Sequence, residues 1–228
     1  MTGVFLQARI DSTRLPGKVI LPLGGRTVID LAMLALLKVD ADAHILLTDK
    51  DSRSALEPCA ERCGFSLFTG DKEDVLKRFA DAAVLYGVDT IVRATGDNPL
   101  VSASAASEIL GHHRRKKADF SCFTGLPLGT GVEVVRTDAL LHSHRSARDP
   151  YEREHVNPFL YRRETMFDIN RVPAPREFSC PEARVTLDTP RDYEYLQTLF
   201  EELYHNVPLE LDTVVPWVRK HPRTTGSE

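Results

Sequence analysis

The residues best suited to chemistry form a basic loop near the start of the chain, directly after a short apolar run. The loop contains the cations Arg9, Arg14 and Lys18 and the hydroxyl groups of Ser12 and Thr13. Ligands of α/β proteins bind at the carboxyl ends of strands, where arginine forks and a mobile lysine suit triphosphate oxygens. A solvated surface loop would show the same residue types. The sequence therefore predicts either a site for a nucleoside triphosphate or a basic surface.

Two aspartates follow other predicted strands. Asp97 stands in a Gly-Asp-Asn-Pro turn after residues 90–95, and Asp188 follows residues 184–187. Magnesium ions use few carboxylates together with substrate oxygens and water, so Asp97 is a candidate metal ligand. The alternative is that Asp97 caps its turn. Asp188 is expected to cap a helix starting near Pro190, which does not exclude metal binding.

The elements that must position these residues alternate between short apolar strands and amphipathic helices. We predict strands at 4–8, 44–48, 65–68, 90–95, 119–122, 132–136, 166–172 and 184–187, and helices at 28–38, 54–62, 71–86, 102–116, within 149–163, at 192–204 and at 211–220. The alternation predicts an α/β fold with one mainly parallel, doubly wound sheet that has helices on both faces. Right-handed crossovers place the loops after the first and fourth strands at one edge.

Domain organisation follows from the same pattern. We predict a single domain over residues 1–222, with an inserted β/α excursion at about 125–172 where the rhythm of the elements changes, and a disordered tail at 223–228. Cys59 and Cys63, four residues apart on a predicted helix, are expected to pack as reduced apolar side chains.

Composition limits the classes of partner. The net charge of −4 argues against a general nucleic-acid binder. The basic run at 112–117 is expected to be a solvated helix end. No segment approaches membrane-spanning length and no secretion signal is evident, so we expect a soluble, cytoplasmic protein that does not bind membranes.

Several ordered segments resemble motifs of the sugar cytidylyltransferases, a superfamily that includes the CMP-Kdo and CMP-sialate synthetases. The basic loop reads Gln-Ala-Arg-x-x-Ser-Thr-Arg-Leu-Pro-Gly-Lys, and the further segments are 70–76, 93–100, 132–134, 152–159 and 187–192. Within the superfamily the chain most resembles the spore-coat polysaccharide F-type branch. The resemblance implies the nucleotide-diphospho-sugar transferase variant of the Rossmann-like fold.

The resemblance also implies roles for individual residues. The residues expected to bind the nucleotide are Gln7, Ala8, Arg9, Ser12, Arg14, Lys18, Arg93 and Asp97. Catalysis is expected to depend on Arg9, Arg14, Lys18 and Asp97. The implied cofactor is Mg²⁺, held jointly by Asp97 and Asp188.

Three further residues are candidates for binding the acceptor substrate. Glu154 and His155 lie in a Glu-His-Val motif of the branch, although an acidic helix start with a solvated histidine is the alternative. Glu133 is a third candidate, or a charge on the solvent face of a strand. The branch usually carries two acidic residues in the loop at 128–131, which this chain lacks, so its acceptor would differ if those acids contact it.

The function implied by the resemblance is transfer of CMP from CTP to an acidic sugar or related small anionic acceptor, with release of pyrophosphate. Alternatives are a phosphate or phosphonate acceptor, another nucleoside triphosphate, or a nucleotide-binding protein without catalysis. The resemblance further implies a homodimer with its contact in the excursion.

Overall fold

The secondary structure comprises nine strands and nine α-helices within residues 1–223, the residues that the computed structural model describes. The strands are β1 (Thr2–Gln7), β2 (Pro22–Leu23), β3 (Arg26–Thr27), β4 (Ala43–Asp49), β5 (Ser66–Gly70), β6 (Thr90–Thr95), β7 (Phe120–Thr124), β8 (Glu133–Arg136) and β9 (Ile169–Pro173). The helices are α1 (Val28–Leu36), α2 (Arg53–Cys63), α3 (Val75–Tyr86), α4 (Ala103–Lys116), α5 (Thr137–Ser146), α6 (Pro150–His155), α7 (Pro158–Tyr161), α8 (Pro190–Leu203) and α9 (Leu211–Lys220), and a 3-10 helix covers Lys18–Ile20.

Seven strands form one twisted sheet in the order β5-β4-β1-β6-β8-β7-β9, and β2 and β3 form a separate two-stranded hairpin. Strands β5, β4, β1 and β6 are mutually parallel, and β7 is parallel to β9. Strand β8 runs antiparallel to both of its neighbours. The prediction of a mainly parallel, doubly wound α/β sheet is confirmed.

The sheet is buried on both faces because its central strands carry almost continuous apolar sequence. In β1, Val4 and Leu6 pack among residues of α1, α2 and α4, whereas Phe5 between them packs on the opposite face against α3. All three side chains are fully buried. Two-sided burial of this kind is typical of parallel sheets covered by crossover helices.

Helix boundaries near the sheet edge are set by side-chain caps. Helix α1 begins with a capping box between Thr27 and Asp30, and α8 begins with the same arrangement between Thr189 and Asp192. Each box satisfies backbone N–H groups that lack a partner inside the helix. In the second box Asp192 also accepts the backbone N–H of Asp188, at 2.9 Å, and so fixes the backbone of this candidate metal ligand.

Two predicted helices differ from the structure, and one helix was not predicted. Helix α3 starts at Val75 rather than at residue 71, because Asp71 accepts the N–H of Asp74 in a turn and Asp74 then caps the helix. The helix predicted within 149–163 is divided between α6 and α7, since Val156 has a positive φ of 72° and Pro158 lacks an N–H. Helix α5 was missed by the sequence analysis.

The strand predicted at 184–187 is wrong. Its backbone pairs with two loops instead of a neighbouring strand: Val185 donates to the carbonyl of Leu128, and Leu187 donates to the carbonyl of Asp97. A continuous ladder needs one extended partner, which this segment lacks. It serves instead as the connection that carries Asp188 to the end of β6.

The chain end is partly described. Arg223, the first residue of the predicted disordered tail, forms an ion pair with Asp192 at 2.6 Å, and residues 224–228 lie outside the described residues. All four cysteines are free thiols, and burial raises the pKa of Cys63 to about 12. Between residues 1 and 223, none of the helices combines the length and apolar character needed to cross a membrane.

Candidate active site

A cleft of about 340 Å³ lies at the carboxyl ends of β1 and β6. The two strands pair in parallel, with Gln7 opposite Thr95, so the loops that follow them start side by side. Gly96 donates its N–H to the carbonyl of Gln7 at 2.8 Å. A Cβ at position 96 would lie 2.9 Å from that of Ala8, so only glycine allows this close approach.

The cleft brings together every candidate site residue except Glu133. Those that line it are Gln7, Ala8, Arg9, Ser12, Arg14, Lys18, Arg93, Asp97, Glu154, His155 and Asp188. Six basic and four acidic side chains line the cleft, so its local charge is positive although the net charge of the whole chain is negative. The functional roles of these residues stay predictions, but their spatial grouping is a property of the fold.

The basic loop is closed at its base by backbone hydrogen bonds. Gly17 donates to the carbonyl of Ile10 at 2.9 Å and adopts a left-handed φ of 66° at the start of the 3-10 helix. The hydroxyl of Ser12 accepts the N–H of Leu15 at 3.4 Å. Lys18 follows the turn at Gly17 and its side chain is largely buried in the cleft, whereas the side chains of Arg9 and Arg14 are exposed.

Lys18 lies between the two predicted metal ligands. Its Nζ donates to Asp97 Oδ2 at 2.6 Å, to Asp188 Oδ1 at 2.7 Å and to the carbonyl of Leu187 at 2.8 Å. The other oxygen of Asp97 accepts the hydroxyl of Thr95 at 2.7 Å. The two aspartates therefore converge on one cation, which in this structure is the ammonium group of Lys18.

Asp188 is surrounded by positive charge. Arg14 lies 3.1 Å from its Oδ1, and Arg184 donates to its Oδ2. Burial disfavours the ionised carboxyl, but the hydrogen bond from Lys18 and the charges of Lys18, Arg14 and Arg184 outweigh it and lower the pKa of Asp188. Asp188 is therefore an anion under all ordinary conditions.

Glu133 lies behind the cleft rather than in it. Its Oε2 accepts Arg93 Nη1 at 2.6 Å and Asn157 Nδ2 at 2.8 Å, while Arg93 also donates to the side-chain oxygen of Gln7. The alternative of a free charge on the solvent face of a strand does not hold either, since the side chain of Glu133 is only 28% exposed and is paired with Arg93. Glu133 is joined to the lining of the cleft by its ion pair with Arg93.

Glu154 and His155 end helix α6 at the opposite wall of the cleft. Both are exposed, and the ring of His155 packs on Tyr151 with centroids 4.3 Å apart. Val156 follows with φ 72° and ψ −64°, and Asn157 donates its N–H to the carbonyl of His155 at 2.9 Å. This γ-turn is a strained conformation for a β-branched residue, and it fixes the direction in which the helix ends.

Other residues of the acceptor motif have structural roles. Glu152 is buried and pairs with Arg163 at 2.7 Å, and Arg153 forms an ion pair with Asp74. The loop at 128–131, where the branch usually carries acids, does not line the cleft; it packs behind the segment that carries Asp188.

Sequence reasoning missed some residues of the cleft. Lys72 reaches Asp11 and Asp51, whose carboxylates raise its pKa. Arg78, only 2% exposed, donates to the carbonyls of Asp71 and Lys72 and so holds that loop in place. Its occurrence on the apolar face of α3 was the available signal, because a buried arginine requires several acceptors.

Comparisons with known proteins identify the family. A family model for cytidylyltransferases matches residues 4–210. The spore coat polysaccharide biosynthesis protein SpsF of Bacillus subtilis is 30% identical over 225 residues, which cover 95% of this chain and 93% of SpsF. A 3-deoxy-manno-octulosonate cytidylyltransferase of Coxiella burnetii is 32% identical over 149 residues, covering 62% of this chain and 55% of that enzyme.

Solved structures agree in fold. A cytidylyltransferase from Leptospira borgpetersenii has a TM-score of 0.89 at 28% identity, with 97% of this chain and 94% of that chain covered. A CMP:2-keto-3-deoxy-manno-octonic acid synthetase solved with CTP has a TM-score of 0.70 at 17% identity, with 89% and 99% covered. The fold is that of the Rossmann-like nucleotidyltransferases. The chain belongs to the cytidylyltransferase family, within the sugar cytidylyltransferase superfamily, as its motifs predicted.

Proposed function

We propose that this protein transfers CMP from CTP to an acidic sugar or a related small anionic acceptor and releases pyrophosphate. The observation that carries the proposal is the convergence of the basic loop with Asp97 and Asp188 in one cleft. Family membership supports the nucleotide. The relatives named for spore coat polysaccharide biosynthesis and for 3-deoxy-manno-octulosonate support an acceptor of surface polysaccharides or glycoconjugates.

In the proposed reaction an acceptor oxygen attacks the α-phosphorus of CTP. The bond from that phosphorus to the bridging oxygen breaks, and pyrophosphate leaves with the electron pair. Such a reaction depends on positioning and on stabilising developing charge. Arg9 and Arg14 bind the triphosphate and stabilise the leaving pyrophosphate, Ser12 donates to a phosphate oxygen, and Gln7 and Ala8 contact the nucleotide at the end of β1.

The carboxylates of Asp97 and Asp188 fit a magnesium ion. Their oxygens already share one cation, the ammonium of Lys18, at 2.6 and 2.7 Å. No cluster of three or more Asp, Glu, His or Cys side chains suited to a metal occurs within residues 1–223. Two carboxylates completed by phosphate oxygens and water are the usual environment of Mg²⁺. When bound there, Mg²⁺ would supply positive charge to the α-phosphoryl group.

The acceptor is proposed to bind beside the end of α6, while Arg93 binds the nucleotide. His155 lines the cleft and offers a hydrogen-bond donor to an acidic group, and Glu154 offers an acceptor for sugar hydroxyls. Glu133 contributes by holding Arg93 in place. This arrangement puts the acceptor on the side of the cleft opposite the basic loop.

A cytoplasmic homodimer belongs to the same proposal. The excursion at 125–172 exposes the large apolar side chains of Leu128, Tyr151 and Met166, which supports a contact between copies there. Light scattering after gel filtration should give about twice the chain mass of 25.5 kDa. A mass that stays at one chain across the accessible concentrations would contradict the dimer.

The experiment that tests the function measures pyrophosphate release with Mg²⁺ and a panel of acidic sugars, phosphates and phosphonates. CTP, UTP, GTP and ATP are run in parallel. We expect release only with CTP and only with a subset of acceptors. Release that requires a different nucleotide would overturn the CTP assignment. Tight CTP binding without turnover on any acceptor would favour a nucleotide-binding protein.

A further inference from the structure

The ammonium of Lys18 is fully engaged by the protein itself. A lysine has three N–H donors, and Lys18 directs them to Asp97, Asp188 and the carbonyl of Leu187 at 2.6, 2.7 and 2.8 Å. Only 12% of its side chain is exposed. In this arrangement Lys18 has no donor left for a phosphate oxygen, although it stands in the loop that is suited to phosphates.

The same ammonium takes the position where the two carboxylates converge. A divalent cation that used both Asp97 Oδ2 and Asp188 Oδ1 would lie within a few ångströms of the Lys18 nitrogen, where the repulsion between the two cations is strong. Arg14 and Arg184 also neutralise Asp188. The nucleotide-free site therefore has little negative charge left to attract a metal.

Lys18 is able to leave this position without a change of fold. Its backbone is fixed in the 3-10 helix, but its stem is an aliphatic chain of four carbons. The phosphates of a bound nucleotide would offer it new anionic acceptors beside Arg9 and Arg14, which line the same cleft. Departure of one ammonium would restore the negative charge of the two carboxylates.

We propose that Lys18 is a placeholder cation that blocks divalent metal from Asp97 and Asp188 until nucleotide phosphates draw its ammonium away. Metal and nucleotide then enter as a coupled pair, and the free protein does not hold the metal. This inference rests on the proposed function, because it assigns the phosphates of the bound nucleotide as the groups that compete for Lys18.

The test is a titration of the nucleotide-free protein with Mn²⁺, followed by the electron paramagnetic resonance signal of free Mn²⁺. Lys18→Gln should bind Mn²⁺ at least about tenfold more tightly than the unmodified protein, a value within the usual range of coupling between sites. Lys72→Gln is the matched control. Lys72 lines the same cleft and loses the same charge, but it pairs with Asp11 and Asp51. Its Mn²⁺ affinity should change less than about twofold.

A second measurement follows CTP binding by calorimetry in the presence of EDTA. Lys18→Gln should weaken metal-free CTP binding, although it strengthens nucleotide-free Mn²⁺ binding. A purely structural role for Lys18 would weaken both. The two proposals can fail independently. Absence of CTP binding by the unmodified protein would contradict the proposed function, whereas the Mn²⁺ titration tests the role of Lys18 without any nucleotide.

Two controls keep the result interpretable. Mn²⁺ should raise the unfolding temperature of Lys18→Gln by more than that of the unmodified protein, which also shows that the variant is folded. Adding Asp97→Asn to Lys18→Gln should abolish the gain in Mn²⁺ affinity. The proposal is overturned if Lys18→Gln gains no affinity, or if Lys72→Gln gains as much.

Discussion

Replacing Glu133 with glutamine removes the anion that holds Arg93 against the wall of the cleft. The two side chains are 28% and 14% exposed, and Oε2 of Glu133 lies 2.6 Å from Nη1 of Arg93. A hydrogen bond between ionised groups contributes about 1.5–3 kcal/mol, and the new amide oxygen still accepts from one neighbour. We expect Glu133→Gln to lower the free energy of unfolding by about 2 kcal/mol.

The assay is thermal unfolding, in which this loss corresponds to a fall in Tm of about 4–8 °C for a chain of this size. The matched control is Glu164→Gln, which breaks an ion pair with Arg171 of the same 2.6 Å length whose side chains are 60% and 40% exposed. Solvent screening limits that loss to less than about 1 kcal/mol. The Kd for CTP should rise in Glu133→Gln and not in Glu164→Gln. Equal Tm shifts in the two variants would refute the assignment of Glu133 as the support of Arg93.

The remaining predictions concern charge in and beyond the cleft. Asp97→Asn should reduce turnover by about 10²–10³-fold while circular dichroism shows an unchanged fold; full activity would remove this carboxylate from the site. Arg14→Ala, at a largely exposed side chain, should raise the Kd for CTP about tenfold by calorimetry, and an unchanged Kd would contradict its phosphate role. Burial lowers the pKa of His113 to about 4, so the unfolded state binds more protons and stability should fall as pH falls from about 6.5 to 4. In urea unfolding, the free energy of unfolding should fall less steeply over this pH range in His113→Gln than in the unmodified protein, and the control His112→Gln should behave like the unmodified protein. Identical pH profiles for the three proteins would contradict the role of His113.

The helices and strands were predictable from the sequence where the local hydrophobic pattern agrees with the way the element packs in the fold. The strand at 90–95 and the helix at 211–220 have the bounds expected from their apolar spacing, the latter in spite of Pro216. The basic cluster at the end of α4 shows the opposite case. Residues 112–117 were expected to face solvent, but His113 is buried and hydrogen-bonded to Ser121 at 2.9 Å. The sequence of a basic run does not show which of its residues will be buried against the sheet.

The composition of the site was predictable, but its internal pairing was not. From residue type alone, Lys18 was predicted to bind a polyanion and Asp97 a metal cation. The parallel pairing of β1 and β6 brings the loops that carry these two residues together. The ammonium between two carboxylates depends on contacts separated by 79 and 170 residues, which no local pattern encodes. The γ-turn at Val156 was equally hidden, since a β-branched residue disfavours positive φ and only surrounding packing imposes it.

The long separation between Lys18 and Asp188 also bears on how the site is built during synthesis. The basic loop and Asp97 are translated well before Asp188, which follows Lys18 by 170 residues. At the usual rates of translation this interval lasts roughly 10–30 s. Asp97 follows Lys18 by 79 residues, so the nascent chain has neither carboxylate at first and then only one, until the segment whose Leu187 donates its N–H to the carbonyl of Asp97 is made. The pair of carboxylates that holds the Lys18 ammonium is therefore completed late in synthesis, and a ribosome-bound chain that ends before Asp188 has only Asp97 to hold it.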